Sequence, residues 1–463
     1  MDKLKFNGEL VIYKKKHDFE FDGKQLKITL KDKEEADQLL YTKDANGAFL
    51  FCGGNAFPSE YIKGTIYPSK KEVIFNIQRE DYSCSDFMFA SEIKYIYVSV
   101  YRYIIISNLL NKSNKTVLSY KSKHFHHFLG LIPRYKAANN NRTNSILDVS
   151  INSDVINYQK VFFNYRKVKY EIEPNCSYRY GVGEFNFIPE LTIKTSKKYN
   201  LKELMVLYRK ICNMVKFLFL RTNIYPNEFV AYTDNKEYKI YEREWDIFKE
   251  KDENLKKPDI YDSVLWSIIY KNGKNIFIDF LNDTNDDLIF NLYKNKQERY
   301  AFDRNAISSD AAEFEHIFNI VFPKYKITSK KKQREYNEVR DTINNLYLTS
   351  SGKKKEIYSR LLKDVDRASL KDKILFSLNK YKNILNSIGF LKRHIHDYNE
   401  IADICSSVRN DIDHGNEGII IDKNKCEYLI YMRVLIYIMY YKKWGFSNKE
   451  VSSIISSLFS YMH

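Results

Sequence analysis

The spacing of apolar residues changes once along this chain, and that change limits the fold more than any other feature. Up to about residue 196, apolar residues alternate with polar ones or run in short blocks, as in "ELVIYKK", "KQLKITLKD", "KGTIYPSKKEVIFNIQ" and "KYIYVSVYRYIII". Alternation rich in Ile, Val, Tyr and Phe, broken by Gly, Asn or Pro, predicts strands. From about residue 306 the period becomes helical. "SSDAAEFEHIFNIVFP" puts Phe314, Ile317, Phe318 and Val321 on one face and stops at Pro323. "KKKEIYSRLLKDV", "LKDKILFSLNKYKNILNSIG", "DYNEIADICSSVRNDIDH", "CEYLIYMRVLIYIMYYKKWG" and "NKEVSSIISSLFSYM" follow in the same style, several ending at Gly.

The expected fold is therefore α+β in two or three parts, as the length of 463 residues also suggests. Residues 1–232 form a β-rich domain closed by the helix "LKELMVLYRKICNMVKFLF". Residues 233–305 open with a charged run and read as a partly helical connecting region. Residues 306–463 form an all-α bundle.

The formal net charge of +16, with lysines along the whole length, suggests a polyanionic partner, nucleic acid above all. Lysine and asparagine bias from AT-rich coding sequence is the plainer explanation. Six scattered cysteines, Cys52, Cys84, Cys176, Cys212, Cys405 and Cys426, fit reduced thiols in a cytosol better than a disulfide framework. The first residues lack a signal-peptide core. The most apolar run, Tyr428 to Tyr441, is shorter than the roughly 20 residues a membrane span needs and carries Arg433. A cytoplasmic protein with no membrane partner is expected, with that run as a core helix that can also serve a dimer interface.

One stretch departs from its surroundings. "CSSVRNDIDHGNEG" crowds Arg409, Asn410, Asp411, Asp413 and His414 into six positions and stops at Gly415. On a helix, Ile401, Ile404, Cys405, Val408 and Ile412 form one apolar stripe with Arg409 on its flank, while Asn410 and His414 share the polar face. A bland reading accounts for all of it. Arg409 and Asp413 would be a surface ion pair worth ~0.3–0.5 kcal/mol, His414 would favour the helix end, and Gly415 would cap it. The chemical reading asks what metal-free RNA cleavage requires. Histidine exchanges protons near neutral pH, arginine offers a planar fork to phosphate oxygens, and asparagine orients without adding charge. On a straight helix Arg409 and His414 point ~140° apart. Convergence would need a break at Gly415 or a second copy across a two-fold axis.

Arg–Asn–Asp–x–x–His–Gly late in a helical bundle, followed by a long apolar helix, resembles the signature of HEPN domains. A β-rich region opening "FNGELVIYKKKHDFEFDGKQLKITL" ahead of such a bundle is similar to the ApeA-like abortive-infection proteins of bacteria. The resemblance implies a metal-independent endoribonuclease needing no cofactor, a homodimer through the bundle, and a composite cleft from two motifs. By carry-over His414 handles the proton, Arg409 stabilises the charged transition state and Asn410 positions. Asp411 and Asp413 are supporting candidates. An acidic residue on the first bundle helix is also implied, with Glu313 and Glu315 both eligible. The substrate would be cellular RNA such as tRNA, cut in anti-phage defence, with the N-terminal domain sensing a phage protein. The open alternative is a non-catalytic RNA-binding or scaffold protein.

"KSKHFHHFLG" places His124 and His126 on one side of an expected strand and His127 on the other, a metal reading that lacks further ligands. "FLFCGGNAF" reads as a turn, since no phosphate-loop lysine follows. "TSKKKQRE" and "SSGKKKE" are basic loops or helix starts, solvated faces unless RNA binds.

Overall fold

The computed structural model describes residues 5–31, 41–43, 49–51, 57, 59–85, 94–109, 115–129, 135–140, 145–151, 159–181, 184–245, 264–289, 292–293, 297–325, 330–365, 368–392, 397–415 and 421–459. They form two compact units. One comprises residues 1–212 and 224–260, the other residues 213–223 and 261–463.

The first unit is antiparallel β. Strands β1 (Phe6–Ile12), β2 (Lys15–Phe21), β3 (Gln25–Leu30), β8 (Lys94–Asn108), β7 (Lys71–Ser85) and β6 (Tyr61–Ile66) pair in that order, and β6 returns to β1. The six strands thus close on themselves, which leaves this ring without edges. Alternation decides its interior. Leu10 and Ile12 on β1, Phe19 and Phe21 on β2, and Leu26, Ile28 and Leu30 on β3 are all buried in one cluster with Phe75, Val98 and Tyr103. The β1–β6 approach demands glycine. A Cβ on Gly8 would lie 2.0 Å from the Thr65 carbonyl oxygen.

The second half of β8 carries the sheet onward through β16 (Lys236–Glu242), β15 (Glu228–Thr233), β9 (Thr116–Lys121), β14 (Glu184–Thr195), β13 (Val168–Gly181) and β12 (Val161–Tyr165). Two-residue turns with both central φ values positive join β1 to β2 at Tyr13–Lys14, β12 to β13 at Arg166–Lys167 and β15 to β16 at Asp234–Asn235. This is the hairpin geometry that matches strand twist. A short helix, α1 (Phe125–Leu129), follows β9, and β4 (Tyr41–Lys43) pairs β5 (Phe49–Phe51) as β10 (Tyr135–Asn140) pairs β11 (Ser145–Ile151). Leu204, Leu207, Tyr208 and Ile211 of α2 (Leu201–Phe219) are buried, with Tyr208 edge-on to Phe229 of β15.

Several expectations shift here. The charged "KEYKIYE", placed in the connecting region, is strand β16; it buries only Tyr238 and Ile240, so its polar residues are its solvent side. The histidine-rich strand is instead a turn running into α1, because Phe125, Phe128 and Leu129 are buried at helical spacing. The "CGGN" turn lies outside the described residues.

The second unit is helical: α3 (Gly273–Asn282), α4 (Arg304–Val321), α5 (Lys330–Thr349), α6 (Gly352–Val365), α7 (Leu370–Lys380), α8 (Tyr398–Asp413), α9 (Lys423–Lys443) and α10 (Asn448–Leu458), with shorter helical turns between. The architecture is mixed α+β, β first and helices after. Short polar side chains start the helices. Asp303, Ser369, Asp397, Asp422 and Ser447 each accept a backbone N–H of the turn they open. Helix α9 is the hub, and every residue from Tyr428 to Tyr441 is buried. An all-round apolar helix is thus used up as core within one chain. Among the described residues, no helix is long and apolar enough to cross a membrane.

Candidate active site at the end of α8

Helix α8 starts at Asp397, whose carboxylate caps it, and lays Ile401, Ala402, Cys405 and Val408 into the bundle. Ile404 and Ile412 are half-buried at the margins of that stripe. The register leaves Arg409 half-buried and Asn410, Asp411, Asp413 and His414 exposed. Arg409 donates from one Nη to Asp413 Oδ2 at 2.8 Å and from the other to Asn410 Oδ1 at 3.3 Å. His414 ends the helix, its backbone N–H donating to the Asn410 carbonyl at 3.0 Å. Gly415 follows with φ +74°, the left-handed conformation that glycine adopts without strain.

The structure therefore brings Arg409, Asn410 and Asp413 into one hydrogen-bonded group. It leaves the His414 side chain on the surface beyond them. The arginine reaches round the helix to Asn410, which the idealised wheel had placed on the other face. The long arginine side chain outreaches the single helical step between the two residues.

The acidic residues of α4 have other partners. Glu313 is buried and accepts a hydrogen bond from the Tyr440 hydroxyl. Glu315 pairs with the buried Lys373 at 2.5 Å. The acid that matters most to the interior is Asp310, on the same helix as Glu313 and Glu315. Asp310 Oδ2 lies 2.5 Å from Arg433 Nε, and both side chains are buried. Arg433 also donates to the carbonyls of Arg299 and Glu298 and stacks 3.9 Å over the Phe302 ring centroid. Arg299, fully buried, donates to the carbonyls of Leu458 and Phe219.

Burial pushes the Asp310 carboxyl up to about 6, with Arg433 pulling it back down. The Cys405 thiol on α8 is pushed to about 12 by burial and by the nearby Asp310 charge. Helix α4, which carries Asp310, packs against the motif helix. The signal was present in the sequence: one arginine inside an apolar helix demands a buried anion.

Among the described residues, no three His, Cys, Asp or Glu side chains are placed to share a metal ion. His124 is half-buried, edge-on to Tyr225 at 5.1 Å. The side chains of His126 and His127 lie outside the described residues.

No family model matches the chain, nor does any curated protein or solved structure.

Proposed function

We propose that the chain is a metal-independent endoribonuclease of HEPN type, cutting cellular RNA by attack of a 2′-hydroxyl on the adjacent phosphate. One observation carries this reading: a guanidinium and an amide are hydrogen-bonded at the exposed end of a helix whose other face is locked in the bundle, and the His414 imidazole is exposed one residue beyond its last turn. His414 would take the 2′-hydroxyl proton or return one to the leaving oxygen. Arg409, released from Asp413, would bind the phosphate oxygens as charge develops. Asn410 already accepts from Arg409 and would hold the fork in place.

Because α9 is buried all round, pairing of two copies would use the exposed face of α8 rather than the apolar helix. A symmetric pair would bring two motifs to one cleft. RNA cutting in anti-phage abortive infection, triggered at the β-rich unit by a phage protein, is the setting in which such an enzyme makes sense.

The Arg409–Asp413 pair supports a second reading, a helix terminus in a non-catalytic RNA-binding or scaffold protein. Purified protein is incubated with total RNA in EDTA beside Arg409→Ala and His414→Ala variants. Cleavage lost in both variants supports the enzyme. RNA bound by all three without cleavage supports the scaffold. Activity abolished by EDTA points to a metal nuclease.

A further inference from the structure

Helices α5 and α6 form an antiparallel hairpin that stands apart from the bundle's core. Among the described residues, neither helix has a buried one. Residues 330–365 hold ten Lys and Arg against five Asp and Glu. The charge is also placed where helix stability does not ask for it. Lys330–Lys332 open α5 and Lys353–Lys355 open α6, and neither first turn has an acidic residue. Cations at a helix start oppose the helix dipole. The packed helices divide: α7, α8 and α10 carry Asp372, Glu400 and Glu450 in their first turns, while α4 and α9 open on Arg304 and Lys423 without an acid, so it is the run of three lysines at each start that sets the hairpin apart.

The hairpin springs from the start of α7, the helix that pairs with the motif helix α8. Tyr325, five residues before α5, donates to the Asp372 carbonyl in the first turn of α7 at 3.5 Å. Helix α6 ends five residues before that same turn. Lys371 in that turn pairs with Asp403 on α8. From Asp403 to His414 is roughly 16 Å along the helix, while α5 extends roughly 30 Å.

We infer that the α5–α6 hairpin is an RNA-gripping arm, whose exposed cations hold the phosphodiester backbone on its way to Arg409 and His414. This rests on the ribonuclease reading for the class of substrate. A surplus of five positive charges argues against the hairpin pairing with its own copy and for a polyanion. The exposed Val339, Leu346, Ile357 and Leu361 are the feature that a second copy would cover instead.

The test uses the full chain carrying His414→Ala, so that RNA is bound but not cut, and a fluorescent single-stranded RNA of mixed sequence titrated across a range of KCl. With Lys353→Glu, Lys354→Glu and Lys355→Glu added, affinity falls at least tenfold. The slope of log affinity against log salt flattens by about 2, from three contacts at ~0.7 each. The matching triple Lys→Arg variant binds like its parent, and circular dichroism verifies helicity in each. A reversal variant that binds RNA as tightly as its parent overturns the inference. If Leu346→Asp with Leu361→Asp then turns a dimer into a monomer, the hairpin is a contact between copies. Binding through these lysines without cleavage by the unaltered chain retires the ribonuclease reading and leaves the arm. Cleavage with binding indifferent to them retires the arm alone.

Discussion

Arg433 Nε lies 2.5 Å from Asp310 Oδ2, and neither side chain is more than 4% exposed. The pair joins the mid-point of the hub helix α9 to α4, and α4 also packs against the motif helix α8. A buried charge left without its partner is far more damaging than the pair is stabilising. Asp310→Leu, which removes both the charge and the acceptor facing Arg433, should therefore destabilise the helical unit by ~3–5 kcal/mol, measured by urea unfolding. Replacing both partners together, Asp310→Leu with Arg433→Met, should recover most of that loss. A single variant that unfolds with the parent would show that the pair does not hold α4 to α9.

The same carboxyl gives the helical unit a pH dependence of definite sign. Burial raises its pKa from the usual 3.8 to about 6 in the folded chain. Between those values the folded state keeps a proton that the unfolded state has released. Its stabilising contribution is full below the lower value and is lost as pH rises through the upper one. The slope of unfolding free energy over that window should be less negative in Asp310→Asn than in the parent. Equal slopes in the two proteins would assign the dependence to other groups.

If a cleft is composed from two copies, complementation follows. Arg409→Ala and His414→Ala chains should each be inactive alone, with loss of at least ~100-fold. Mixed and allowed to exchange, half the pairs carry one intact Arg409–His414 pairing of the two in the composite cleft, so activity should return to about a quarter of the parent's. No recovery from a mixture that demonstrably exchanges subunits would place Arg409 and His414 of a single chain in each cleft. Asp413→Ala should cost only ~0.5 kcal/mol of stability, as an exposed pair does.

Gly415 provides a local test of how α8 ends. Its φ of +74° is left-handed, and an added Cβ would meet nothing within 4 Å. Gly415→Ala therefore adds backbone strain alone, ~1–2 kcal/mol, enough to fray the last turn. Hydrogen exchange at the His414 and Gly415 amides should quicken, the unfolding free energy of the bundle should fall by no more than that strain, and cleavage should fall severalfold. Unchanged exchange would mean that the turn re-forms without glycine.

Local periodicity made the elements legible. Alternation in "KQLKITL" needs no partner to declare a strand, and apolar spacing alone declares α8, α9 and α10, though α9 begins at Lys423, three residues before its apolar run, where Asp422 caps it. Strand β16 was hidden because a half-buried strand shows mostly its charged side, and only pairing with β8 reveals the buried Tyr238 and Ile240. The Tyr13–Lys14 turn was equally hidden, since neither residue favours positive φ by itself.

For the site, the sequence alone determined that arginine, asparagine, aspartate and histidine would gather at one helix end, because the spacing is a property of the helix. Tertiary structure decided which groups meet. It buried Asp310 with Arg433 across more than a hundred positions, gave Glu313 to Tyr440 and Glu315 to Lys373, and left His414 in solvent. Such partnerships depend on how helices distant in sequence pack together, and no pattern within a single helix encodes them.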